Sequence, residues 1–339
     1  MPLALWIRRL AFAGLVLCFG VVVLGAYVRL SAAGLGCPDW PGCYGAPTPL
    51  GIAPDAAAHF PQASVDVGKA WREMTHRYAA ATLGVLIVIL AVLAVADRGR
   101  RMMGVRFACA LLALLILQAG LGRLTVTLKL TPLIVTLHLI FGMTTLALLA
   151  WLWLGVRKDR HGAAPDTAQR LPRRLCLAAL VILALQIALG GWTSSNYAAT
   201  ACPDFPTCQG RWWPPTDFAH AFVLWRPLGV NYEGGVLAEP ARAAIQLTHR
   251  LGACAATLML VLAAGLTLRR VRKRSARRAA WAVLAFLALQ LVIAVSMVAA
   301  RFPLSLATAH NAGAALLLLA TLALYDAVSA RPGSGGPRE

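Results

Sequence analysis

The chain has 339 residues, of which 59% are hydrophobic and only 13% charged, with a formal net charge of +19. A soluble globular domain carries roughly 25% charged residues, so the composition excludes an ordinary soluble domain. Eight apolar runs reach about the 20 residues a helix needs to cross a bilayer, at roughly 10–29, 76–96, 105–123, 132–154, 174–194, 246–268, 279–299 and 303–326. Only helices or closed barrels span lipid, and continuous runs lack the alternation of a barrel strand. The predicted fold is therefore an all-α integral membrane protein.

The first run follows Arg8-Arg9 and precedes Ser31-Ala32-Ala33, which has the outline of a secretory signal. Its apolar stretch is too long for one, and it reads as a retained helix ending at Arg29. An outer loop follows, with Cys37-Pro38-Asp39-Trp40-Pro41-Gly42-Cys43. The second run opens at His76, within Glu73-Met74-Thr75-His76-Arg77. The third carries Gln118 and ends at Arg123, and the fourth carries His138. After a basic stretch the fifth run begins a second series. It leads to Cys202-Pro203-Asp204-Phe205-Pro206-Thr207-Cys208, then Gln246-Leu247-Thr248-His249-Arg250 in the sixth, Gln290 in the seventh, Arg301, and His310 in the eighth.

The second series repeats the first. Arg8-Arg9-Leu10 and Cys37 recur 165 residues on, at Arg173-Arg174-Leu175 and Cys202. Thr75-His76-Arg77 recurs at an offset of 173, and Gln118 and His138 at 172. A repeat of this length is one architectural unit used twice. Four helices return the chain to its starting side, so the expected architecture is two tandem four-helix bundles of the same orientation. The expected divisions are 1–156, a cytoplasmic linker at 157–173, 174–328, and a disordered tail at 329–339.

Of the 32 Lys and Arg residues, 21 fall at the two termini and in the gaps after helices two, four and six. The positive-inside rule then puts both termini in the cytoplasm and the cysteine loops outside, in a bacterial inner membrane. The basic runs serve as topology determinants and lipid contacts rather than a nucleic-acid site.

Four cysteines lie within helices and four in the two outer loops. On the oxidising side of a membrane, disulfides persist. The loop pairs are readable as structural disulfides, as redox-active pairs, or as part of a metal site. The last lacks further ligands nearby in sequence.

Ionisable residues inside a membrane are costly and mark function. His76, His138, His249 and His310 sit at equivalent depths, two per half. Paired imidazoles across a bundle suit the axial positions of a haem iron, giving the pairs His76 with His138 and His249 with His310. Zinc would need more protein ligands per half. Arg29, Arg77, Arg123, Arg250 and Arg301 stand at outer helix ends, where guanidinium groups suit propionates or simply snorkel. Gln118 and Gln290 either reach the haem ligands or bond across helices. The halves differ at Glu73, which aligns with Gln246. Residues three apart share a helix face, so Glu73 is expected to project beside the ligand His76, where a carboxylate accepts a proton.

The Glu73-Met-Thr-His76-Arg77 motif, Thr248-His249-Arg250, the histidines of helices four and eight, and the CPDWPGC loop together resemble the haem A synthase family over nearly the whole chain. That resemblance implies an oxidoreductase of terminal oxidase assembly, oxidising a ring methyl of haem O to a formyl group by successive hydroxylations. It implies that His76 and His138 face substrate haem O, that His249 and His310 ligate a haem b cofactor, and that Glu73 is catalytic. It matches Cys37 and Cys43 to the family's first outer-loop cysteine pair, with Cys202 and Cys208 a pair found in some members; disulfides Cys37–Cys43 and Cys202–Cys208 are the expectation. Haem O synthase and an electron donor are the expected partners beside the lipid bilayer. Three other readings stand against it: a di-haem b-type electron carrier, a haem transporter or chaperone, and a repeat-built transporter whose histidines relay protons.

Overall fold

The computed structural model describes residues 2–52, 59–60, 65–96, 105–156 and 170–329. Eight long helices dominate it: α1 (Pro2–Leu30), α2 (Val67–Ala96), α3 (Val105–Thr127), α4 (Pro132–Val156), α5 (Arg170–Ser195), α6 (Glu239–Arg270), α7 (Arg274–Ala299) and α8 (Leu304–Ser329). All eight are long and apolar enough to cross a membrane. Among the described residues the only β pairing is two isolated bridges, Cys43 with Ala46 and Cys208 with Arg211. The chain is an all-α, multi-pass membrane protein. Most of the 157–173 linker, all but the first residue of the 329–339 tail, the basic stretches at 98–101 and 157–160, and His161 lie outside the described residues.

Two helices begin earlier than hydropathy predicts. The second apolar run opens at His76, but α2 starts at Val67, nine residues before it. The sixth opens at Gln246, but α6 starts at Glu239. His76 and His249 are therefore well inside their helices and not at helix starts. Hydropathy marks where lipid begins, whereas a helix continues as long as its first N–H groups find acceptors. The Asp66 side chain accepts from the Lys69 amide at 2.9 Å, and Pro240 occupies the first turn of α6, where a missing N–H costs nothing.

Each half closes a ring of neighbours. α1 packs against α2 and α4, and α3 against α2 and α4; α5 packs against α6 and α8, and α7 against α6 and α8. α2 and α4 thus stand across their ring from one another, as do α6 and α8. The rings meet where α4 packs on α5 and α8, and α1 on α8. Arg29 donates to the Ser194 carbonyl at 2.9 Å across this seam, and the Thr136 and Ser195 hydroxyls pair at 3.1 Å.

The main apolar core fills only one end of the bundle. In the first half it runs through Ile7 to Cys18, Leu83 to Ala94, Ala108 to Leu111 and Met143 to Leu152. In the second it runs through Cys176 to Ile187, Leu260 to Val271, Ala276 to Leu287 and Ala315 to Val328. Each of the four intramembrane histidines lies beyond the edge of that core, toward the cysteine loops. Residues 21–27 of α1, 137–142 of α4 and 306–312 of α8 are uniformly half-buried there. A helix packed closely on one side would alternate buried and exposed positions. The uniform pattern shows that these segments are less tightly packed than the core below them.

Candidate functional site

His76 on α2 lies within electrostatic reach of His138 on α4, and His249 on α6 within reach of His310 on α8. Each pair therefore comes from helices that face one another across a ring. All four residues are half-buried, and the Nδ1 atoms of His76 and His138 are out of reach of solvent. Glycines on the neighbouring helices make the room. A Cβ on Gly25 would stand 2.8 Å from the His76 Cε1, and one on Gly190 would stand 3.2 Å from the His249 Cε1. One on Gly122 would stand 3.4 Å from the His138 Cε1. Gly25 and Gly190 are related by the same 165-residue offset as the cysteine loops, and hydropathy gave no sign of their role.

Among the described residues no cluster of three or more His, Cys, Asp or Glu could hold a bare metal ion. Two facing imidazoles supply only two ligands, and a planar macrocycle supplies the other four. The pair of facing imidazoles in each half fits a haem iron, and in the first half the buried Nδ1 of His138 has no hydrogen-bond partner.

The outer loops are built alike. Cys37–Cys43 and Cys202–Cys208 are both disulfide-bonded. The Asp39 carboxylate accepts from the Tyr44 amide at 2.6 Å and the Gly45 amide at 2.9 Å. The Asp204 carboxylate accepts from the Gln209 amide at 2.6 Å, the Gly210 amide at 3.0 Å and the Thr207 hydroxyl. Both loops turn through positive φ, at Tyr44 and Gly45 and at Gln209 and Gly210, which those carboxylates hold in place. The Thr207 hydroxyl and the two amides hold the Asp204 carboxyl below the usual carboxylate range. Its folded pKa lies below the unfolded value, so its contribution is full above that ordinary value and fades as pH falls through the depressed one. Protection of the Gln209 and Gly210 amides against hydrogen exchange should be retained at neutral pH and lost on acidification below that range. In Asp204→Asn the protection should be weak at every pH.

The arginines that follow the histidines serve these loops. Arg77 donates to the carbonyls of Asp39 at 2.9 Å and Gly42 at 2.5 Å. Arg250 donates to those of Thr207 at 2.7 Å, Asp204 at 2.8 Å and Cys202 at 3.1 Å. Propionates at these two residues would compete with loop carbonyls. Arg29 lies over the Tyr197 ring, 4.2 Å from its centroid, while Arg123 and Arg301 are exposed at the outer ends of α3 and α7.

Glu73 is the one buried acid among the described residues. It lies in the second turn of α2, away from the helix N-terminus, so the helix dipole does not account for it. One carboxylate oxygen accepts from the Cys37 amide at 2.8 Å and the other pairs with Arg77 at 2.5 Å. The sequence spacing led to the expectation that Glu73 projects beside His76. In the structure its two oxygens engage the disulfide loop and Arg77. At the matching position the Gln246 amide oxygen is buried without a partner.

Fold and site together define an eight-helix membrane protein with one pair of facing intramembrane histidines in each half and a disulfide loop above each. The cytochrome oxidase assembly protein family, COX15-CtaA, matches residues 8–322. The chain belongs to that family. It is 39% identical to the heme A synthase of Shewanella oneidensis over 319 residues, 93% of each chain. It is 30% identical to that of Symbiobacterium thermophilum over 286 residues, covering 82% of this chain and 81% of the relative. It is 28% identical to that of Rhizorhabdus wittichii over 347 residues, covering 94% and 92%.

Proposed function

We propose that this chain is a haem A synthase, an oxidoreductase that converts the ring methyl of haem O to the formyl group of haem A for terminal oxidase assembly. The observation that carries the reading is the pair of facing histidines in each half, in the less tightly packed part of each ring, with a buried carboxylate in the first half alone. His76 and His138 take substrate haem O between α2 and α4, and His249 and His310 hold a resident haem b between α6 and α8. The resident haem supplies one-electron chemistry that side chains lack. The domain division follows: a substrate half at 1–156 and an electron-transfer half at 174–328.

This chain's own residues bind, orient and handle protons. The two imidazoles of the first half fix the plane of the substrate ring. The absence of a side chain at Gly25 gives the His76 ring its room. The Glu73 carboxylate, one turn from His76, is the acceptor for a proton released at the reacting methyl. Arg77 and the Cys37 amide fix its position, which is the preorganisation that a reacting centre requires. The disulfide loop closes the outer end of the pocket. Arg29, Arg123 and Arg301 supply cations for propionates at the same end. Both termini face the cytoplasm on the positive-inside count. Haem O synthase is the partner that hands over the greasy substrate directly. Each hydroxylation is a two-electron oxidation and needs an external oxidant; with dioxygen in that role, the electron donor reduces its second oxygen atom to water.

The test is to express the chain with a source of haem O, extract the non-covalent haems, and identify them by chromatography and mass. Haem A or its hydroxymethyl intermediate is expected in the wild type. His76→Ala should retain haem b and lose product, and His249→Ala should lose haem b. Haem b alone in every variant except His249→Ala would leave an electron carrier. No haem in the wild type would overturn the histidine pairs themselves.

A further inference from the structure

Three of the four histidines share a feature that the fourth lacks. The Gln118 amide donates to the His138 main-chain carbonyl at 3.0 Å, and Gln290 to that of His310 at 3.0 Å. Gln186, on α5, donates to that of His249 at 2.9 Å, and its amide nitrogen stands 3.0 Å from the His249 Nδ1. In all three the amide oxygen is buried without a partner. An imidazole that binds iron through Nε2 carries its proton on Nδ1, and that proton needs an acceptor. The unpaired Oε1 of Gln186 sits on a carboxamide that already spans the His249 carbonyl and ring. Turning the carboxamide over presents that oxygen to Nδ1–H in place of the bond to the His249 carbonyl.

His76 has no such amide, and its ring faces the Val21 main chain instead. The 165-residue offset that relates Gly25 to Gly190 puts Val21 where Gln186 stands. The 173-residue offset that relates His76 to His249 puts Ala79 where Gly252 stands. The second difference explains how the first is accommodated. A Cβ on Gly252 would stand 2.3 Å from the Gln186 Oε1, so the glycine is the recess that admits the amide. Brace and recess occur together in the second half and are absent together from the first.

We propose that Gln186, seated against Gly252, is a positioning residue that fixes the His249 imidazole for iron ligation. With Val21 and Ala79 at the matching places, His76 is the one ligand without an amide brace, which lets the N-terminal haem exchange. The inference rests on the haem assignment above and explains, from the chain itself, why one site retains its haem while the other releases it. Hydrogen-bond partners of this kind alter metal retention by about 10–100-fold.

The experiment uses the full-length protein purified with its haem. Haem loss to apomyoglobin is followed by absorbance, with low-spin ferric EPR and midpoint potential on the same samples. Gln186→Leu should lose the His249-dependent haem about tenfold faster or more and shift its EPR signature. Gln186→Glu keeps an acceptor, so it should restore retention and lower the midpoint potential. The reverse exchange, Val21→Gln with Ala79→Gly, should slow haem loss from the first half, which a merely misfolded protein would not do. Unchanged rate and EPR in Gln186→Leu, or no slowing in the reverse exchange, would overturn the proposal. If the wild-type haem persists in His249→Ala, the assignment of the C-terminal site falls and the proposal with it. If that haem is lost in His249→Ala yet indifferent to Gln186→Leu, the proposal alone falls.

Discussion

Glu73→Gln is expected to lower haem A formation by about 10²–10⁴-fold, the range over which a positioned acid or base contributes, while leaving the bound haem b and the fold intact. The two effects separate because of what each carboxylate oxygen touches. The Cys37 amide needs an acceptor, and a carboxamide oxygen still provides one. The bond to Arg77 becomes weaker, but Arg77 keeps the Asp39 and Gly42 carbonyls. The second half already shows that the amide is tolerated in the fold, since Gln246 occupies this place on α6. Glu73→Ala should behave differently. It strands the buried Cys37 amide, at about 1–3 kcal/mol, and frees the loop. The measurements are product formation by mass and accessibility of the Cys37–Cys43 pair to reductant and alkylation. Full activity in Glu73→Gln would remove the carboxylate from the chemistry and reduce it to a loop anchor.

Gly25→Val should empty the first pocket of substrate haem while sparing the second, and Gly190→Val should do the converse. A Cβ on Gly25 meets the His76 Cε1 at 2.8 Å, a separation real Cβ atoms do not show. The imidazole would have to swing away, and with it the line to His138. At Gly190 the approach is 3.2 Å, so the second pocket should lose affinity more gradually. Gly20 is the control on the same helix. A Cβ there meets nothing within 4 Å, and replacing glycine in a helix gains about 1 kcal/mol with alanine. Gly20→Ala should therefore keep both haems. Haem content per half, read from extracted pigment in the His76→Ala and His249→Ala backgrounds, distinguishes the cases. Equal loss from both pockets in Gly25→Val would mean general unfolding and would sink the local account.

The eight helices, the two-fold repeat and the four histidines were legible in the sequence because each is written in one short stretch. Twenty apolar residues report a membrane span wherever their neighbours lie. A histidine in such a stretch is costly whatever it faces. The limits of that reading are equally physical. Hydropathy reports the edge of lipid and not the end of a helix, so it started α2 at His76 when Asp66 caps the helix and Val67 begins it.

The tertiary structure alone decided what each polar side chain does. Arg77 and Arg250 looked equally suited to propionates and to lipid headgroups, yet both hold loop carbonyls 35–48 residues away. Glu73 was expected to project beside His76, and only the fold shows that it grips the Cys37 amide. The sequence singled out Gln118 and Gln290 but not Gln186, whose part depends on α5 standing against α6 with Gly252 opening a recess for it. Spacing along a helix fixes which face a residue occupies. Which helix comes to stand opposite that face, and how near, is set by packing between segments far apart in the chain, and a hydrogen bond exists only at the distance that packing leaves.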